Sequence, residues 1–505
     1  MGAKIFAAID VGSFELEMGV YEISGKNGVH QIDRVRHIIP LGKDTYNTGV
    51  ISYGLVNEMC SVLSDFAKIM EGYQADSYRA YATSAMREAQ NNQIVLDQIK
   101  VRTGLDVKII SNSEQRLLSY KAIAAKEGEF NKLIQKGTAI VDVGFGSMQM
   151  SLFDKDALVS THNLGLGALR MREMISHVRA AAEEQIHLLE EIVDNELFVF
   201  RKMYLKDREI KNLIGAGEEL LYLARGMGEE SERTYISAKE MTAFYQRITK
   251  MSLGQLQETF GVTADYATLL LPSAMIYKRV MELSGAEIFW IPSIRLGDGM
   301  AAEYAEEKRL VKFHHNFSED ILAAARNMAK RYKCHMSHNQ AMERYAMDIF
   351  DAMKKYHGLG KRERLLLQIA VNLHSCGKFV SMRDYSECAY NIIMSTEIIG
   401  LSHEERKIIA NTVRYNQQPF SYEVARDNMM LIAKLVAILR LVNSMDRSHS
   451  QKLSDCKIAV RDGELIVSTG YEGDITLERL AFESKIDFFE EIYGIRPVLK
   501  QKRRV

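Results

Sequence analysis

The sequence predicts an α/β protein with two related sheet-containing lobes, then a mostly helical region and a small α+β tail. Three observations point there. Short apolar strands alternate with helix-period segments through the first part of the chain. An opening phrase, AAIDVGSFELEMGVYE from Ala7, returns without a gap as AIVDVGFGSMQMSLFD from Ala139. From about Phe313 the texture turns to long amphipathic helices.

In order, KIFAAIDVG reads as a buried strand and LEMGVYEIS as its hairpin partner. NEMCSVLSDFAKIMEGY has helical spacing, and DSYRAYATSA and DVKIIS are further strands, each leading into a helix. The second phrase restarts the pattern, aligning Asp10 with Asp142, Val11 with Val143, Gly12 with Gly144 and Met18 with Met150. The repeat distance is far too long for a solenoid and reads as two related domains. EDILAAARNMAKRY, NQAMERYAMDIFDAMKKY, RERLLLQIAVNLHSCG and NMMLIAKLVAILRLVNSM are helices. CKIAVRDGELIVSTGY is a hairpin turned at Asp462-Gly463, and a helix and a final basic strand close the chain. The expected boundaries are 1–125 and 126–308 for the lobes, 309–450 for the helical region and 451–505 for the tail.

At 505 residues the chain is too long for one hydrophobic core. Its 47% apolar and 26% charged content is that of an ordinary globular protein. A net charge of −1 gives no overall field to attract nucleic acid or an anionic membrane. Five cysteines without C-x-x-C spacing argue for a reducing compartment and against zinc or a disulfide frame. There is no signal-peptide core and no membrane-length apolar run, so the expectation is a cytoplasmic protein.

The chemistry concentrates in the repeated phrase. A glycine turn after a strand lets backbone N–H groups approach an anion, and a strand-end aspartate can hold Mg²⁺ or another divalent cation that bridges phosphate oxygens. Two such hairpins facing across a cleft would grip a phosphate chain from both sides. NLGLGALR, with Gly165 before a helix, and LIGAGEEL, with Gly215 and Gly217 in a strand-to-helix turn, are further anion-site candidates.

These elements resemble the acetate/sugar kinase, Hsp70 and actin superfamily, and within it the exopolyphosphatase/guanosine pentaphosphate phosphatase (Ppx/GppA) family. AIDVGS, ATSAMREAQN (Ala82–Asn91), IISNSEQRLLSYKA (Ile109–Ala122), VDVGFGS, LGLGALRM, IGAGEE and LGDGM follow in family order. The resemblance implies actin-like (ribonuclease H-like) lobes and metal-assisted attack of water on the terminal phosphate of polyphosphate or guanosine pentaphosphate. It also implies metal-holding Asp10 and Asp142, a phosphate-facing Arg87, and phosphate loops containing Gly12, Ser13, Gly144, Gly146 and Ser147.

The sequence departs from the family in telling places. The usual GSNS is Gly12-Ser13-Phe14-Glu15, which puts an aromatic ring and a carboxylate beside the phosphate path. Where the family has SGxEEA, the chain reads Ser111-Asn112-Ser113-Glu114-Gln115-Arg116, placing Gln115 on the catalytic glutamate, and a second family glutamate is Gln149. Glutamine accepts no proton at neutral pH. Three outcomes are open: Glu114 supplies the base, Gln115 orients the water, or the cleft binds polyphosphate or an alarmone as a sensor without cutting it. A kinase is a weaker third class.

The helical region resembles an HD phosphohydrolase domain with eroded ligands: His338, His374 followed by Ser375, and Asn443 stand at the metal positions. No catalytic metal is expected there, and His374 is expected to pack. The helices would serve a homodimer and extend a groove for a long anion, with the basic KQKRR end as a frayed tail or part of the track.

Overall fold

The computed structural model describes the chain apart from residues 1, 27, 177, 179–181, 206–207, 218–219, 221, 225–234, 287, 314, 424–425 and 502–505. It divides into two compact units, Met1–Asn316 and Phe317–Val505.

The first unit contains two sheets of related topology. In the first, β1 (Lys4–Val11) pairs antiparallel with β2 (Glu15–Ser24), which pairs with β3 (Gly28–Ile38). On its other side β1 runs parallel to β4 (Ser77–Ala82), then β5 (Val107–Ile109), giving the order β3-β2-β1-β4-β5. In the second sheet, β6 (Thr138–Val143), β7 (Met148–Asp154) and β8 (Ala157–Leu164) repeat the meander. Here β6 runs parallel to β9 (Asn212–Ala216), β9 to β11 (Ile288–Trp290), and β10 (Tyr235–Ser237) closes the edge. The duplication therefore extends from one phrase to most of both sheets. Each meander leads into a short helix, Leu41–Thr48 in the first lobe and Ala168–Ile175 in the second.

β1 and β6 are central and nearly continuous in apolar residues because both faces are covered. One face of the first sheet packs on the Tyr53–Gly72 helix through Met59, Leu63 and Phe66. The other face carries Phe6, Ala8 and Tyr21 against the Leu296–Glu307 helix, with Phe6 stacked on Tyr304 at 4.5 Å. The sequence boundary put that helix in the second lobe; it crosses back onto the first. Gly299 permits this, since a Cβ there would lie 2.2 Å from the Leu118 carbonyl oxygen.

The second unit packs the helices Phe317–Arg331, Met336–Ala352, Lys361–Leu373, His403–Arg414 and Met429–Met445 around an apolar interior. A small sheet, β12 (Lys457–Arg461), β13 (Glu464–Thr469) and β14 (Arg496–Gln501), follows. Asp462 and Gly463 both have positive φ, 51° and 78°, the geometry of a two-residue hairpin turn. The end of KQKRR, residues 502–504, lies outside the described residues.

Candidate active site

The cleft of the first unit is built where β1 and β6 end. Asp10 is the last residue but one of β1, and its cross-strand partner is Glu17; Asp142 holds the same place in β6, opposite Gln149. Both turns close alike: Gly12 N–H donates to the Glu15 carbonyl at 3.0 Å, and Gly144 N–H to the Ser147 carbonyl at 2.9 Å. The turn carbonyls are held alike too. Ser13 O accepts from Gly42 N at the start of one short helix, and Phe145 O from Leu169 N and Arg170 N in the first turn of the other.

Between these hairpins lies a cleft of about 110 Å³, room for a phosphoryl group with several waters. Of the residues the sequence singled out, Asp10, Gly12, Ser13, Asp142, Gly144, Ser147, Gly217 and Gln115 line it. So do Glu15, Glu17, Thr83, Ser84, Ser119, Gln149 and Arg295. Gly217 has φ +114° and abuts the Val143 carbonyl, so the turn closing this side requires glycine.

Ser119 was legible in principle, since it lies one helical turn beyond Gln115 on the Asn112–Ala124 helix and shares its face. Its hydroxyl donates to Asp142 Oδ2 at 2.8 Å. Burial pushes the Asp142 carboxyl up from its ordinary value, opposed by that hydrogen bond and by Arg116. Glu17 accepts from Arg34 at 2.5 Å and lies 3.9 Å from Arg295 Nε. The amide oxygens of Gln115 and Gln149 are buried and have no hydrogen-bond partner among the described residues, although each costs about 1–3 kcal/mol if left so.

Several expected site residues do other work. Glu114 is the closing member of a capping box: Ser111 Oγ accepts from its N–H at 3.1 Å, and its own Oε2 accepts from Ser111 N at 2.8 Å. That pairing turns the carboxylate back on the helix start, so it is not a cleft base. Arg87 does not line the cleft; it donates to the Ile110 carbonyl at 2.5 Å and to Asn112 Oδ1, fastening the start of the helix that carries Gln115. Gly146 is demanded by packing, since a Cβ would lie 2.1 Å from the Tyr46 hydroxyl. Gly215 sits against Leu220 and Phe289 in the core, and Gly165 lies outside the cleft lining. The NLGLGALR helix start is not an anion site, because Arg170 is committed to Glu88 at 2.6 and 2.8 Å and to the Gly146 carbonyl at 2.6 Å. Glu218 and Glu219 of LIGAGEEL lie outside the described residues. Phe14, expected beside the phosphate path, instead enters the second lobe's core, 5.0 Å from Phe145 and 5.6 Å from Tyr266 between ring centroids.

In the second unit His374 is buried, its Nδ1–H donating to the Val371 carbonyl, and burial pushes it down to about 3. His338 donates from Nδ1 to Asp446 Oδ2 at 2.7 Å. Sequence reasoning counted the carboxylates there as lost and overlooked Asp446, whose place beside His338 only the fold reveals. Asn443 is half-buried at the end of the Met429–Met445 helix.

Two lobes of one topology thus bring paired aspartate–glycine hairpins to a shared cleft. The Ppx/GppA phosphatase family model matches residues 20–291, and the model of Ppx/GppA phosphatase domain III matches residues 322–478. The chain belongs to the Ppx/GppA phosphatase family, and it is a phosphohydrolase. It is 23% identical over 482 residues to a guanosine-5'-triphosphate,3'-diphosphate pyrophosphatase of Photobacterium profundum, covering 92% of each chain. To the protein of that name from Vibrio atlanticus it is 22% identical over 425 residues, 82% of this chain and 81% of the relative. Its fold is similar to an exopolyphosphatase from Cytophaga hutchinsonii, at TM-score 0.54 and 17% identity over 61% of this chain and 99% of that one. Among the described residues no helix is long and apolar enough to cross a membrane.

Proposed function

We infer that this phosphohydrolase releases orthophosphate from the end of inorganic polyphosphate or guanosine pentaphosphate. One observation carries the reading: two hairpins of one design, each placing an aspartate near the strand end and closing on a glycine N–H, line a single cleft. The cleft offers hydroxyls from Ser84 and Ser147 at its polar wall, donors suited to phosphate oxygens.

The residues present fit a divalent cation such as Mg²⁺. Asp10, Asp142 and the amide oxygens of Gln115 and Gln149, unpartnered among the described residues, are hard oxygen donors. When bound, the ion would neutralise charge developing on the phosphoryl oxygens. Ser119 holds Asp142 in place, and Gln115 orients the attacking water through its amide. A cytoplasmic homodimer acting without nucleic acid or membrane belongs to the same proposal, to be read by fractionation and sedimentation.

A second reading, a weakened polyphosphate or alarmone sensor, is favoured by the glutamines at 115 and 149. The deciding experiment measures orthophosphate release from both substrates with and without Mg²⁺, for wild type and Gln115→Glu. Mg²⁺-dependent release by wild type supports the phosphohydrolase reading. Tight binding without release, with release gained in Gln115→Glu, selects the sensor.

A further inference from the structure

The chemistry just proposed needs a group that takes a proton from the attacking water, and this inference rests on that reading. Gln115 and Gln149 cannot take it. Glu114 closes a helix cap. The cleft wall nevertheless carries four carboxylates: Asp10, Glu15, Glu17 and Asp142. Asp10 and Asp142 occupy equivalent strand ends and, with the two glutamine amide oxygens, form the oxygen set suited to a cation. Glu17 is engaged with Arg34 and steadies Arg295.

Glu15 is also engaged by its surroundings, and what sets it apart is its place in the turn. It stands at the closing end of the first turn, where the gapless repeat has Ser147 in the second. Strand alternation puts it on the same face as Glu17, and Glu17 faces Asp10 across the ladder, so all three point into one space. It is only 6% exposed, a carboxylate withdrawn from bulk water and set beside the phosphate loops. The charged and titratable groups around it are Asp10 and Glu17 on its own hairpin, Arg34 and Arg36 on the same face of β3, Arg295 before the Leu296–Glu307 helix, and Asp142 across the cleft.

We propose that Glu15 is the general base of this enzyme, so that the proton-accepting carboxylate has moved from the Asn112–Ala124 helix to the first hairpin. The water oxygen bonds to the terminal phosphorus as the bridging P–O bond breaks. One water proton passes to a Glu15 carboxylate oxygen, and the bridging oxygen keeps the electron pair on the shortened chain. Glu15 then gives its proton to solvent, and orthophosphate leaves.

The test is orthophosphate release from long-chain polyphosphate with Mg²⁺, over acid to neutral pH, for the full chain and its Glu15→Gln and Glu15→Asp variants. Equilibrium polyphosphate binding is measured alongside. Glu15→Gln is expected to lower kcat by about 10²- to 10⁴-fold with binding little changed, and to abolish the acid limb of the pH–kcat profile. Glu15→Asp is expected to recover part of the rate and to keep an acid limb, shifted from wild type. A Glu15→Gln variant with wild-type kcat, or one that loses only binding, overturns the assignment. If that variant does not fold, an acid limb in Glu15→Asp that coincides with wild type overturns it. Wild type that releases no orthophosphate from any phosphate chain removes the phosphohydrolase reading itself, and this role with it.

Discussion

The β1–β2 and β6–β7 hairpins share a frame and differ in charge. Each sets a strand-end aspartate opposite one cross-strand residue, closes on a glycine N–H, and rests its turn carbonyl on the following helix. On that frame the first hairpin carries Glu15 and Glu17, while the second carries Ser147 and Gln149. The backbone decides where a side chain stands, and a single atom, amide nitrogen or carboxylate oxygen, decides whether it can accept a proton. The turn tips differ in volume as well. Phe14 fills a hole in the second lobe, whereas its counterpart Gly146 leaves room for Tyr46 and Ser84 of the first.

Removing the second hairpin's carboxylate should have the largest effect. Asp142→Asn is expected to lower kcat by about 10³-fold, the scale of losing one well-placed charge-stabilising group. It should also change stability. Burial raises the Asp142 carboxyl, so between its ordinary value and the raised one the folded state holds a proton that the unfolded chain has released. Wild-type stability therefore falls as pH climbs through that window. Thermal melts across pH should show Asp142→Asn without this decline and more stable at neutral pH; a less stable variant there would mean the ionised aspartate is favoured in the fold.

Next in size is the turn-tip contrast. Phe14→Ala should cost about 3–5 kcal/mol in denaturant titration, as for other buried aromatic truncations. A cost near zero would show that the first hairpin does not depend on the second lobe's core. Making the hairpins more alike should do less. Gln149→Glu places a carboxylate opposite Asp142 and should lower the Mg²⁺ concentration for half-maximal activity by about tenfold, through added ligand charge. A large rise in kcat instead would put the missing base on the second hairpin. Smallest is the helix start: Ser111→Ala should cost about 1 kcal/mol as a lost cap, and Glu114→Gln should leave kcat close to wild type, which an activity assay checks directly.

The repeat was legible because a gapless match of strand, aspartate and glycine survives in the letters, and Asp10 and Asp142, which it pairs, line one cleft together with Ser13 and Ser147 of the two family loops. The glycines were harder. Gly144 borders the cleft with room for a Cβ, while Gly12, Gly146, Gly215 and Gly217 answer to crowding, and a one-letter code does not distinguish an open approach from a steric demand. Arg87 and Glu114 were misplaced for a related reason. Each sits in a motif that faces the cleft, but its own side chain turns back to a backbone partner, Ile110 in one case and Ser111 in the other. Glu17 and Arg295 lie far apart in sequence, and only the fold sets one beside the other.

Phe14 also bears on how the chain is made. It is synthesised long before Phe145 and Tyr266, the rings it packs against. A nascent first lobe emerging from the ribosome therefore presents an aromatic side chain whose resting place does not yet exist, and such exposed apolar groups favour chaperone capture and aggregation. The first lobe expressed alone should be poorly behaved, and a chimaera that exchanges one lobe between relatives should fold only when ring and socket are exchanged together.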